Sequence, residues 1–102
     1  MTDLKQLSHD AAKVLPKEFL DNTDWGFHLY PVSCPMGVLR FKQGAPYWLH
    51  KSTEACAEIY VRKLRGHTIK VSAIMDTLIA AGVEEMQAFR TAVLRALIEV
   101  KK

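Results

Sequence analysis

Apolar and polar positions along this chain recur with two different periods, and the longest regular stretch lies at its C-terminal end. Over residues 84–102, Met86, Phe89, Val93, Leu97 and Val100 are spaced three and four apart, the period of a helix that buries one face. Leu94 and Ile98 fall roughly 100–140° further round, so this helix is expected to need cover on two sides. It is the expected organising element of the fold.

Near the other end, Leu4, Leu7, Ala11, Val14 and Leu15 form a second helical stripe, with Lys5, His9 and Lys13 turned to water. Thr2 or Asp3 would cap this helix and Pro16 would end it. Residues 16–24 predict a helical turn carrying Phe19 and Leu20, then a polar connection through Asn22, Thr23 and Asp24. The period next changes to two. Trp25, Phe27 and Leu29 alternate with Gly26, His28 and Tyr30, which predicts a half-buried strand over 25–32. A second strand is expected over 38–42, with Leu39 and Phe41 inward and Arg40 and Lys42 outward. After the turn Gln43-Gly44-Ala45-Pro46, residues 47–51 predict a third strand, whose register stays open because a one-residue slip reverses every side chain.

Ser52 or Thr53 is the expected cap of a middle helix that reaches Arg65 and stops at Gly66. Thr53, Cys56, Ala57, Tyr60, Val61 and Leu64 form its expected core face, Glu54, Glu58, Arg62 and Arg65 its charged face, and Ile59 belongs to neither. Residues 67–71 alternate, as a short strand or an extended linker. Ser72 then opens a short helix carrying Ile74, Leu78 and Ala81, ended by Gly82, with Val83 reaching back to Leu78. Glu84 and Glu85 in the first turn of the last helix, and Lys101 and Lys102 at its end, suit its dipole. The pattern as a whole predicts one α+β domain over residues 1–102. It consists of a small antiparallel three-stranded meander, about 25–51, packed by an N-terminal helix, a middle helix and a C-terminal helical hairpin.

Composition narrows the class without naming an activity. A chain of 102 residues that is 49% hydrophobic has enough apolar surface for a core without disulfides or a structural metal. The opening Met-Thr-Asp-Leu-Lys-Gln carries no secretory pattern, so the expected location is the cytoplasm, where Cys34 and Cys56 would be thiols. Charge is unevenly placed: between residues 40 and 70 seven basic side chains (Arg40, Lys42, Lys51, Arg62, Lys63, Arg65, Lys70) face only Glu54 and Glu58. A field of that sign attracts nucleic acid or an acidic protein surface.

Candidate chemistry is sparse. His28–Cys34 and His50–Cys56 repeat one His-x5-Cys spacing, and two His with two Cys is a zinc set. Zinc ligands come in closer pairs on a shared turn, however, so no metal is expected. Cys34 lies in Ser33-Cys34-Pro35, which offers no helix N-terminus to favour a thiolate. Glu54 and Glu58 share a face with Arg62 and Arg65, a solvated ion-paired arrangement, and no glycine-rich phosphate loop is present. The turn Ala80-Ala81-Gly82 resembles that of a helix-turn-helix, and residues 67–71, with Thr68 and Lys70 outward, the ribbon of a ribbon-helix-helix. Glu84 and Glu85 then stand where such modules meet phosphate, which argues against both.

Binding rather than catalysis is the resulting expectation, with no enzyme activity, no cofactor and no membrane partner. The sequence points to a small regulator, adaptor or inhibitor that uses a protein–protein interface or self-association as a homodimer. Ile59, Leu94 and Ile98, left over from their helices' main stripes, are the expected interface. The alternative is nucleic-acid binding by the basic 40–70 segment through Arg40, Lys42, Tyr47, Trp48, Lys51, Arg62, Lys63 and Arg65, with aromatic rings stacking on bases.

Overall fold

A computed structural model describes residues 4–15, 28–40 and 44–101, with His28 and Lys101 described by backbone alone. Four α-helices lie among them: α1 (Leu4–Val14), α2 (Thr53–Lys63), α3 (Thr68–Ala80) and α4 (Glu85–Lys101). Single 3-10 turns, Leu49–Lys51 and Arg65–His67, lead into α2 and α3. Two short strands, β1 (His28–Leu29) and β2 (Leu39–Arg40), pair antiparallel, with His28 opposite Arg40 and Leu29 opposite Leu39.

About 70% of the described residues are helical and 5% lie in strands. The expected three-stranded α+β meander is therefore not the architecture: the fold is helical, with a short β ribbon at one side. Residues 25–27 and 41–43, which carried much of that expectation, lie outside the described residues, as do the turn expected over 16–24 and the cap at Thr2 or Asp3. The third strand gives way to a 3-10 turn closed by Lys51 N–H to Trp48 O at 3.0 Å and Ser52 N–H to Leu49 O at 3.1 Å. Its physical cause is burial on every side. Trp48, Leu49 and His50 are 8%, 0% and 4% exposed, whereas a half-exposed strand would turn alternate residues to water.

Helix α4 is the centre of the packing and touches α1, α2, α3 and the 49–51 turn. Thr91, Ala92, Val93, Leu94, Ala96 and Leu97 are all buried along it. Ala88, Ala92 and Ala96 form a fully buried line at four-residue spacing, matched in α1 by Ala11 and Ala12. Side chains this small let helix axes approach closely. Opposite them, Leu94 and Leu97 fill the wider gaps.

Helix α2 is rotated relative to the expected face: Ala55, Cys56 and Ile59 are buried, while Val61 is 57% exposed. Ser52 is its cap, accepting the Ala55 N–H at 3.2 Å. Residues 68–71, expected to be extended, form the first turn of α3. That turn brings Val71 onto the same side as Ile74 and Met75, which pack toward the core. The few tenths of a kcal/mol that β-branched residues lose in a helix are outweighed by roughly 1.5 kcal/mol or more from burying Val71.

Two glycines are required by the backbone. At Gly82 (φ +93°) the chain leaves α3, with Val83 N–H on Leu78 O and Gly82 N–H on Ile79 O, both at 3.0 Å, a complete Schellman stop. Gly37 (φ +142°) lies so close to the Tyr47 main chain that a Cβ would fall within it. That approach lets Tyr47 bond β2 through its N–H to Leu39 O at 2.7 Å.

Leu94→Ala should lower unfolding free energy by about 2–5 kcal/mol in denaturant titration. A change below 1 kcal/mol would mean that α4 is not the packed centre. Glu84 caps α4, its carboxylate accepting Gln87 N–H at 2.9 Å and Met86 N–H at 3.1 Å. Those two bonds, the one from Gln87 foremost, hold its pKa below the usual glutamate range. The cap's contribution is thus complete above that range and is lost as pH falls below it, through the lowered pKa. Glu84→Gln should flatten the decline of melting temperature on acidification, checked by scans at a series of pH values.

Candidate functional site

The densest polar cluster forms because the 49–51 turn carries His50 inward instead of laying it along a strand. His50 lies between α1 and α4. Its backbone N–H donates to Ser8 Oγ at 3.0 Å, and Ser8 Oγ lies 2.7 Å from His50 Nδ1. Its carbonyl accepts Arg90 Nε–H at 3.0 Å and Gln87 Nε2–H at 3.2 Å. Arg90 continues to Thr53 Oγ1 at 2.7 Å and to Gln87 Oε1 at 3.2 Å, and Gln87 reaches Thr91 Oγ1 at 3.1 Å. The His50 carbonyl and the Arg90 guanidinium therefore join the 49–51 turn, α2 and α4, and the His50 N–H and ring tie α1 to them through Ser8.

A serine beside a histidine invites a nucleophile reading. Ser8 is 0% exposed, so in this conformation no substrate carbonyl reaches its oxygen, and the pair joins α1 to the turn. Cys56 is held similarly. Its thiol donates to Leu49 O at 3.2 Å, and burial pushes its pKa up to about 12 despite the opposing pull of Arg90. A thiol so far from ionisation is neither a nucleophile nor a ready metal ligand. Cys34 is a half-buried free thiol. Among the described residues no group of three or more His, Cys, Asp or Glu side chains could hold a metal ion.

Two of the three residues expected to bind a protein partner are covered by the chain itself. Ile59 and Leu94 are 1% and 0% exposed, so they offer no surface to a second molecule. Ile98 is half-buried and, with Leu7, Arg95 and Glu99, lines an open cavity of about 310 Å³ between α1 and α4. Both sides of α4 meet neighbouring helices, and this accounts for apolar residues beyond a single stripe.

The basic set is divided between two environments. Arg40 is half-buried, its guanidinium 5.7 Å from the Tyr30 ring centre, and Lys42 lies outside the described residues. Trp48 is buried with Lys5 Nζ 5.4 Å from its ring centre, and burial raises the pKa of the half-buried Tyr47. Neither ring is placed as an open stacking platform. Lys51, Arg62 and Arg65 are exposed and Lys63 half-exposed; Arg62 pairs with Glu58. Lys70, in the first turn of α3, donates to Glu99 of α4 at 3.1 Å.

Among the described residues, the large apolar side chain with the greatest fractional exposure is one that the sequence pattern left in a linker. Ile69 is 87% exposed, and Ile79, on the same helix, is 42% exposed. Helix α3 packs on α4, with Val71, Ile74 and Met75 in or against the core, while Ile69, Ser72, Ala73, Asp76, Ile79 and Ala80 are exposed. The signal that could have found this face is the composition of 68–81, where Lys70 and Asp76 are the only charges among fourteen residues. Among the described residues no helix is long and apolar enough to cross a membrane. No protein-family model, curated protein or solved structure matches the chain.

Ser8→Ala would leave the His50 N–H and Nδ1 without the hydroxyl between them and should cost about 1–3 kcal/mol. Denaturant titration checks this, and Ser8→Thr, which keeps the oxygen, separates loss of the hydrogen bonds from a change of volume.

Proposed function

We propose that this chain is a non-catalytic binding protein that acts through a protein–protein interface on the outer face of α3. The observation that carries the reading is Ile69: a large aliphatic side chain 87% exposed on a regular helix, where surface residues are ordinarily polar. Covering one isoleucine is worth about 1.5–3 kcal/mol, and Ile79 on the same helix and Val61 on α2 add exposed aliphatic surface. The expected interface on Ile59, Leu94 and Ile98 moves to α3, because the first two are occupied in the core. Nucleic-acid binding is the second reading, supported by residues 59–75, which hold Arg62, Lys63, Arg65 and Lys70 and no carboxylate. Aliphatic side chains at the same corner favour a protein.

Affinity capture from native lysate, with the purified chain as bait and nuclease added, tests the reading. The wild type should retain a protein, its own copies included, and Ile69→Asp with Ile79→Asp should lose it while keeping the wild-type melting temperature. Equal retention by both overturns the α3 assignment. Retention abolished by nuclease moves the function to nucleic acid.

A further inference from the structure

The outer face of α3 has a symmetry that identifies what covers it. Ile69, Ser72, Asp76 and Ile79 follow one another at intervals of three, four and three residues, all exposed, which is the a/d spacing of a helix–helix seam. Read from either end the order is aliphatic, polar, polar, aliphatic. An antiparallel pair of such helices related by a two-fold axis near residue 74 places Ile69 against Ile79 of the second copy and Ser72 against its Asp76. Each hydroxyl then has a carboxylate to donate to, and each isoleucine meets an isoleucine. Ala73 and Ala80, exposed beside the seam, are small enough for the helices to approach closely.

Charge divides about the same midpoint. Residues 59–75 hold Arg62, Lys63, Arg65 and Lys70 without a carboxylate, and residues 76–89 hold Asp76, Glu84 and Glu85 without a basic side chain. Within α3 itself the charges are Lys70 before the midpoint and Asp76 after it, so antiparallel pairing brings unlike charges to the same end of the contact and parallel pairing brings like ones. Lys70 already donates to Glu99 of its own chain, and an ammonium has two further N–H groups. A two-fold interface requires a surface complementary to itself, and this face meets that condition in the order of its exposed aliphatic and polar side chains.

We infer that the partner of the α3 face is a second copy of this chain, joined in an antiparallel α3–α3 contact centred near residue 74. The inference rests on the α3 binding reading and narrows it to one occupant. Sedimentation equilibrium of the full chain over a range of concentrations should move from the 11.5 kDa monomer mass toward twice that value. Because the axis uses each residue twice, Ile69→Asp should raise the dissociation constant about 100-fold or more, twice the effect of losing one buried isoleucine.

Geometry is tested by crosslinking in a Cys34→Ser background. Ile69→Cys chains mixed with Ile79→Cys chains should form a disulfide, and neither alone should, since like positions lie roughly 15 Å apart along the helix. A wild type that stays monomeric at every soluble concentration overturns the inference. So does a dimer that Ile69→Asp leaves intact, or one in which Ile69→Cys crosslinks with itself. A monomer whose Ile69→Asp, Ile79→Asp variant nevertheless loses a captured protein refutes the second copy alone and leaves the α3 reading standing.

Discussion

One backbone carbonyl, that of His50, is where the described parts of the chain converge. Removed from water by the 3-10 turn, it is satisfied by two donors from a single face of α4, Arg90 and Gln87. The same residue's N–H goes to Ser8 on α1, and Arg90 extends the connection to the start of α2. A buried carbonyl without partners costs a few kcal/mol, of the order of 1–3. The turn can therefore fold inward only if α1 and α4 are both in place, and their relative position is specified by hydrogen bonds as well as by apolar contact. Burying a guanidinium is unfavourable unless its donors are used, and Nε, Nη1 and Nη2 of Arg90 all have acceptors here.

Around that junction the apolar packing divides between small and large side chains. The alanine line at 88, 92 and 96 and the pair at 11 and 12 allow close helix contact, while Leu39, Leu49, Ile59, Leu64, Leu94 and Leu97 fill the remaining space without measurable exposure beyond 1%. Helix α3 stands apart from this arrangement. It reaches the core through Val71, Ile74 and Met75, resting on α4 and meeting the 65–67 turn, and its other face is left to solvent. It is held on one side and carries exposed aliphatic residues, Ile69 and Ile79, on the other.

The division between a closed centre and an open edge bears on function. Polar groups with reactive potential, Ser8, His50 and Cys56, are inside and committed to structural hydrogen bonds. The exposed surface holds the cationic end of α2, the carboxylates at the end of α3 and the start of α4, and the isoleucines between them.

By itself the sequence determined the features that depend on neighbours along the chain. The 3-and-4 spacing from Met86 to Val100 marks α4, and Leu94 and Ile98 signal that it needs two-sided cover. Gly82 followed by Val83 marks the Schellman stop, and Ser52 the start of α2. Tertiary structure decided the features that depend on burial by distant residues. Alternation over 47–51 and 67–71 is equally compatible with a strand and with one helical turn, since so few positions do not separate a period of two from one of three or more. The choice came from what each segment meets: Ser8, Gln87 and Arg90 around His50, and α4 beneath Val71. Which aliphatic residue of α2 is buried, Ile59 rather than Val61, follows from where α4 lies. The same cause hides Leu94 and leaves Ile69 outside, because a leftover apolar residue is core or surface according to whether another element of the fold reaches it.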